Sequence, residues 1–329
     1  MALIFKSALL ILAAMVSVGT VDWGSRYWLG YPTELTIDQA VQQITETDQR
    51  EWLGYLASRE LDGRKPNTDG YKKAAAYVEA KCQSWGLKTE RQTVPNRDQN
   101  LFAYIPGTSS DEVVVVGAHL DHLGNGNLGA DDNGSGSTAL MSIAYAFSQM
   151  EQGPRTIVFQ WYTAEESGLI GSGYYVSNPT FPKGSPSIRK HVAMINLDMV
   201  GRFRIGSMHD AAVTAESLEM TISFKEYISR LGAKYPFGSS LTVSSGNRSD
   251  HARFASAGVP IAWLFTGTHN DYHTPRDTVD KVNFEGMVKV AQYGTELAYL
   301  CVNEGQSSMT SPFAIDESKL VNEAGEAFK

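Results

Sequence analysis

The amino-acid sequence predicts a three-layer α/β/α sandwich around a mainly parallel, mixed central sheet. Two observations carry that expectation. Short apolar runs alternate with longer amphipathic stretches along most of the chain, the pattern of strands joined by crossover helices. One run, "VVVV" from Val113 to Val116, contains no polar residue, as expected of a strand buried on both faces. A third observation concerns the residues just past the runs. In open α/β sheets functional groups collect beyond the carboxyl ends of the strands, and here His or carboxylate residues come directly after four of them.

Taken in order, "TIDQAVQQITETDQREWLGYLASREL" has Thr36 and Asp38 at its start and apolar residues at helical spacing, so it reads as one helix. "DGRKPNTDG" breaks it, and "YKKAAAYVEAKCQSWGL" resumes a second helix that ends near Gly86. "LFAYIPG" and "EVVVVGAHL" read as strands, "SGSTALMSIAYAFSQM" as a helix, "TIVFQWYTAEE" as a strand and "GLIGSGYYV" as a helix. "HVAMINLDMVG" is a further strand, followed by a helix through "AESLEMTISFKEYISRLGAKY". Then come "SLTVSS", a short helix from Asp250, the strand "PIAWLFTG" and a closing helix "FEGMVKVAQYGTELAYLCV". No internal repeat and no Pro-, Gly- or Ser-rich linker divides this stretch, so residues 22–305 read as one domain and 306–329 as a polar tail.

The N-terminus departs from this pattern. "MALIFKSALLILAAMVSVGTVDWG" places Lys6 before an apolar run from about Ala8 to Val21. The run is short for a membrane span and has the proportions of a secretory signal. Residues 1–21 are expected to be a cleaved leader, with an uncleaved anchor as the alternative, and the protein to be secreted, periplasmic or extracellular. Against 28 Lys and Arg stand 36 Asp and Glu, without a polybasic block, which argues against nucleic acid as a partner. Nor does anything beyond the leader point to a membrane. The two cysteines, Cys82 and Cys301, lie in helical segments near either end. An exported protein can oxidise such a pair, or both can simply be buried.

The strand ends carry the chemistry. After "VVVV" come His119, Asp121 and His122, and the glycine-rich loop beyond supplies Asp131 and Asp132. After "IVFQWYTA" come Glu165 and Glu166, after "AMINL" comes Asp198, and after "IAWLFTG" comes "THNDYHTPRDT" with His269, Asp271, His273 and Asp277. Mixed imidazole and carboxylate donors suit zinc, and less selectively cobalt or manganese. Two ions would need a shared carboxylate, and paired ions acidify a water held between them. Adjacent glutamates make sense if one binds metal and its neighbour takes the proton of that water. Read singly, Asp131 and Asp132 would be helix-capping carboxylates, and Asp250 either a cap or a pocket residue. The aromatic residues of "FQWYTA" read as core.

In these residues the sequence resembles the co-catalytic di-zinc peptidases. "HLDH", "GADDNGSG", "TAEESGLIGS", "NLDMVGR", "SDHARF" and "DYHTPRDT" occur in that family's order, from roughly the "DGRKPNTDG" stretch to Val302. The family includes secreted bacterial leucyl aminopeptidase, aminopeptidase Y, glutamate carboxypeptidase and glutaminyl cyclase. The resemblance implies the zinc-peptidase (phosphorylase/hydrolase-like) fold and two zinc ions per chain, one held by His119 and Asp198, the other by Glu166 and His273, with Asp132 bridging. It implies a metal-bridging hydroxide as nucleophile, Glu165 as general base, and Asp121 hydrogen-bonded to the second nitrogen of His119 to fix its tautomer. Asp131 is expected to be structural, and His122, His191, His209, His251 and His269 to be surface groups or supports rather than ligands. Some secreted members carry a tyrosine just before the "SDH" motif to support the reaction intermediate; "SSGNRSDH" has none, and Arg248 or Asn247 stands there instead.

The function implied is a secreted aminopeptidase acting on peptides with a free N-terminus. A carboxypeptidase or dipeptidase of the same family would need a cation for the substrate carboxylate, for which Arg202, Arg204 and Arg248 are available. Glutaminyl cyclase fits "GADDNGSG" and "AEESGLIGS" less well. From another class, a binding module that had lost its metals, as transferrin-receptor ectodomains have, would be expected to have lost some ligands; none is missing here.

Overall fold

The structure, a computed structural model, describes residues 34–203, 227, 231, 234–235 and 248–303. The expected leader and tail lie outside the described residues, as do Arg204, His209, Asn247, the "SLTVSS" strand and most of the helix expected over 215–235.

Among the described residues six strands form one sheet: β1 (Lys88–Thr93), β2 (Gln99–Ile105), β3 (Val113–His119), β4 (Thr156–Tyr162), β5 (His191–Leu197) and β6 (Ile261–Leu264), in the order β1-β2-β4-β3-β5-β6. The pairs β4–β3, β3–β5 and β5–β6 are parallel, while β1 and β2 join antiparallel at one edge. The sheet is thus mixed and mainly parallel, as the alternation of elements predicts. Strand β1 is not legible as a strand in the sequence: "KTERQT" is almost wholly polar, as an edge strand with one face toward water can be.

The helices are α1 (Ile37–Gln42), α2 (Glu46–Leu56), α3 (Asp69–Ser84), α4 (Gly136–Ser148), α5 (Ile170–Ser177), α6 (His251–Ser256) and α7 (Phe284–Asn303). The single helix expected over 36–61 is divided. Thr36 and Gln39 cap α1 reciprocally, and Thr45, in extended backbone, accepts the Asp48 amide to start α2 afresh. The chain then passes through a short 3₁₀ turn, Arg59–Arg64, before α3.

Alternation along β3 builds the layers. Val114, Val116 and Ala118 join Phe159, Trp161 and Ile195 in a core covered by α2, α3, α4 and α7, through Leu53, Val78, Leu140 and Val290. Val113 and Val115 face the other way, with Val158 and Met194, against Tyr175 of α5 and Phe254 of α6. Burial of each such side chain is worth about 1.5–3 kcal/mol, so both faces must be covered. That leaves the strand ends as the accessible edge of the sheet. Cys82 and Cys301 are both buried and are not joined in a disulfide. Among the described residues no helix is long and apolar enough to cross a membrane.

Candidate metal centre

The carboxyl ends of β3, β4, β5 and β6 point the same way and deliver the site. His119 closes β3 opposite Tyr162 of β4. Glu165 and Glu166 follow β4 by way of Ala164, whose positive φ of 57° turns the chain sharply. Asp198 immediately follows β5, and His273 lies on the loop beyond β6. Asp132 comes from the irregular turn Ala130–Ser135 that precedes α4. Gly129 opens that turn with φ 59°, and a Cβ there would lie 2.1 Å from the Asp132 carbonyl oxygen. Only glycine fits.

The structure gathers the expected groups in two sets that share Asp132. His119 Nε2 lies 3.4 Å from Asp132 Oδ1 and 3.4 Å from Asp198 Oδ1. His273 Nε2 lies 3.0 Å from Asp132 Oδ2 and 3.1 Å from Glu166 Oε2. Glu165 Oε2 stands 3.9 Å from His119 Nε2. Asp132 does not cap α4; its amide and that of Asp131 both donate to Asp277 Oδ2, at 3.0 and 2.9 Å. Asn133 ties the same turn to β5 by donating to the Leu197 carbonyl and accepting the Met199 amide. Asp131 is structural, its carboxylate taking the Gly201 amide, the Ser135 hydroxyl and His269.

One expectation needs correction. The Asp121 carboxylate does not orient His119: His119 Nδ1 bonds the backbone carbonyl of Asp121 at 3.1 Å, while Asp121 Oδ1 is 3.8 Å away. The carboxylate is engaged elsewhere, Oδ1 accepting the Glu165 amide at 3.0 Å and Oδ2 the Glu166 amide at 3.4 Å. The backbone carbonyl still fixes the tautomer, leaving Nε2 bare toward the carboxylates, and Asp121 instead holds the glutamate turn. His122, expected as a surface group or a support, takes the second role. It is fully buried, with Nδ1 hydrogen-bonded to Glu166 Oε1 at 2.7 Å and 3.8 Å from Asp132 Oδ2. His122, Asp132 and Glu166 alone bring donor atoms within 4.8 Å of one another, as do His119, Glu165 and Asp198. His191 and His251 are buried, against Tyr175 and Trp263 respectively.

The electrostatics are those of a cation site. Burial opposes charge on His119, but Glu165, Asp198 and Asp132 override it and raise its pKa well above the ordinary value. His273 is pushed up to about 10 by its contacts with Asp132 and Glu166. Burial raises Glu165 to about 10, reinforced by the negative charges of Asp250, Asp198 and Asp121 against the pull of His119. Burial likewise lifts Asp121 to about 6 and Asp250 to about 7. Asp132 Oδ2 and Asp198 Oδ1 are buried and make no well-aligned hydrogen bond, facing the His273 and His119 nitrogens at 3.0 and 3.4 Å respectively, a costly arrangement for carboxylates. Divalent metal held by these carboxylates and imidazoles would supply the missing partner, and the N/O donor set fits zinc.

Several contributors are not visible in the sequence alone. Tyr272 stacks on the His273 ring with centroids 3.7 Å apart. Asp277 and Asn133 fix the Asp132 turn through backbone contacts, and Arg64 reaches the loop from a distant turn. Arg202, a sequence candidate for holding a substrate carboxylate, is taken up by Asp271 and Asp277 at 3.2 and 3.4 Å. Arg248 stands over the Trp263 and Phe265 rings, 5.9 Å from each centroid.

Residues 100–298 match the model of Peptidase family M28. Leupeptin-inactivating enzyme 1 of Streptomyces exfoliatus is 35% identical over 65% of this chain, which spans about half (47%) of that relative's length. Leucine aminopeptidase 1 of Coccidioides posadasii is 31% identical over 83% of the chain and 76% of its own length. Among solved structures, LapB from Legionella pneumophila superposes with a TM-score of 0.70 at 24% identity, covering 84% of this chain and 78% of that one.

Proposed function

From the premise that the chain belongs to Peptidase family M28, we propose that it is a secreted di-zinc aminopeptidase that removes the N-terminal residue of peptides. The observation that carries this reading is the pair of imidazole–carboxylate sets sharing Asp132, with the carboxyl of Glu165 beside them. His119 and Asp198 would hold one ion, Glu166 and His273 the other, and Asp132 both. Two ions so held would polarise the scissile carbonyl and acidify the attacking water.

The chain's own groups do the rest. Glu165 takes the proton of the attacking water as its oxygen bonds the carbonyl carbon, then gives that proton to the departing amine as the C–N bond breaks. Asp121 keeps Glu165 in place by accepting its backbone amide. The excess of carboxylates favours a substrate bearing a protonated α-amine. A carboxypeptidase would instead need a cation facing the substrate carboxylate, and the Arg202 guanidinium is already paired with Asp271 and Asp277. The leader-like residues 1–21 support export.

The test is elemental analysis of the purified protein together with hydrolysis of leucyl-nitroanilide before and after chelation, with the N-acetylated substrate as control. About two zinc ions per chain and chelator-sensitive release from the free-amine substrate alone are expected. Metal without that release would replace the reading with a carboxypeptidase or cyclase, and no metal would leave a binding module.

A further inference from the structure

Arg64, in the "DGRKPNTDG" turn, reaches the loop between His119 and Asp132. It is fully buried, yet its hydrogen bonds go to backbone carbonyls: Nε to Leu120 at 2.8 Å, Nη1 to Leu56 at 2.6 Å and Leu128 at 2.9 Å, and Nη2 to Gly129 at 2.9 Å. A buried cation ordinarily contacts a carboxylate. Here three of the four bonds go to peptide oxygens at the two ends of one loop, and the fourth ties Arg64 to the end of α2 at Leu56. Leu120 directly follows His119, and Leu128 and Gly129 lie just before Asp132. That loop contains three left-handed glycines, Gly124, Gly126 and Gly129, and forms no helix or strand between β3 and the Asp132 turn.

The turn that carries Arg64 is shaped to the loop along its length. Asp62, Gly63 and Arg64 all have positive φ, of 39°, 69° and 56°. The Asp62 carboxylate accepts the Asn125 and Gly126 amides at 3.2 and 2.8 Å, and a Cβ on Gly63 would lie 2.0 Å from the Asn127 oxygen. We propose that Arg64 is a positioning residue: by pinning both ends of the loop it sets the separation of His119 from Asp132, and so the affinity of the ion they share with Asp198. This rests on the di-metal reading above. Partners that orient ligands change metal affinity by about 10- to 100-fold when removed, and the same range is expected here.

The experiment titrates metal-free wild type, Arg64→Lys, Arg64→Met and Asp62→Asn with Zn²⁺ against a chromogenic chelator, and with Co²⁺ followed by visible absorption. Asp198→Asn marks which of the two binding steps belongs to the His119 ion. That step should weaken about 10- to 100-fold in both Arg64 variants, with altered Co²⁺ bands, while the Glu166–His273 step changes less. Lysine keeps the charge but not the fork of donors, so it should not restore the step. Asp62 is exposed, so Asp62→Asn should fold and shift the same step in the same direction by a smaller factor. Two-step binding in folded Arg64→Lys or Arg64→Met identical to wild type would overturn the inference. Should neither Arg64 variant fold, an unchanged Asp62→Asn would do so. A wild type that binds no metal would instead overturn the di-metal reading from which the inference starts.

Discussion

Glu165→Gln separates two roles that the geometry allows. Glu165 stands 3.9 Å from His119 Nε2 and, with His119 and Asp198, has donor atoms close enough to hold an ion. As a ligand, its loss would empty that position. As a base, its loss would leave the metals in place and remove only a proton acceptor. Glutamine has the same shape, and the residue's backbone amide would still donate to Asp121 Oδ1, so the turn should survive. A positioned general base contributes roughly 10²- to 10⁴-fold, equivalent to about 3–5 kcal/mol at about 1.4 kcal/mol per decade. The expected result is a kcat lower by that factor, a nearly unchanged KM and two zinc ions per chain. Burial and the neighbouring carboxylates hold the free carboxyl near 10, and cations alongside would pull it down into the range where a base works. The wild-type rate should therefore rise with pH as Glu165 loses its proton, and the residual rate of the variant should lack that rise. A variant within tenfold of wild type at full metal content would refute the base assignment. Loss of one ion would make Glu165 a ligand.

How far the sequence is legible depends on how each signal is encoded. Buried parallel strands announce themselves as apolar runs, and residues just past them fall at the strand ends by topology alone. That is why His119, Glu165, Glu166 and Asp198 stand out as candidates in the sequence, whereas choosing His273, nine residues past β6, over His269 and assigning the glutamates their separate roles needs the family resemblance. Asp132 needs the family's motif, because two adjacent aspartates before a helix equally read as caps. The edge strand β1 and the break between α1 and α2 escape for the opposite reason. Polar "KTERQT" has no apolar alternation to detect, and Thr45 restarts a helix through one local hydroxyl bond within an otherwise continuous periodic pattern.

The support of the site is largely illegible because it runs through the backbone. A carbonyl that accepts from His119, or an amide that donates to Asp277, leaves no residue type to recognise. The Asp121 correction is of this kind: the motif shows that a carboxylate stands two residues past the histidine, but not that its oxygens are taken by the Glu165 and Glu166 amides. Arg64 is harder still, since its partners are all carbonyl oxygens 8 to 65 residues away. Buried His122 shows that proximity in sequence to one candidate ligand can mean contact with another, here Glu166 across the sheet ends.

The geometry makes three further outcomes testable. His273→Ala should lose the ion held with Glu166, whereas His122→Ala should retain two ions and weaken binding or turnover by about 10- to 100-fold through a loosened Glu166; metal analysis of the reverse pattern would make His122 the ligand. Burial, opposed by the Ser187 carbonyl, lowers His191 to about 4 from an ordinary 6.5. Because the unfolded chain then protonates first, stability is full above about pH 6.5 and falls by about 3 kcal/mol as pH drops toward 4. Urea unfolding at pH 7, 5 and 4 should show this component in wild type and not in His191→Gln; equal acid sensitivity would refute it. Finally, Tyr272 offers the tyrosine that "SSGNRSDH" lacks. Its ring, though partly exposed, lies on His273, and partial desolvation together with the charges of Asp132, Glu166, Asp198 and Glu165 pushes its hydroxyl above the ordinary range. A phenol that donates to the oxygen gaining charge in the transition state is worth roughly 10²- to 10³-fold where it is the main donor and less where metal shares the task. Tyr272→Phe should therefore lower kcat at least about tenfold, leaving KM and metal content nearly unchanged. If kcat holds while KM rises, the ring serves only to pack against substrate and the charge on the reacting oxygen is borne by metal alone.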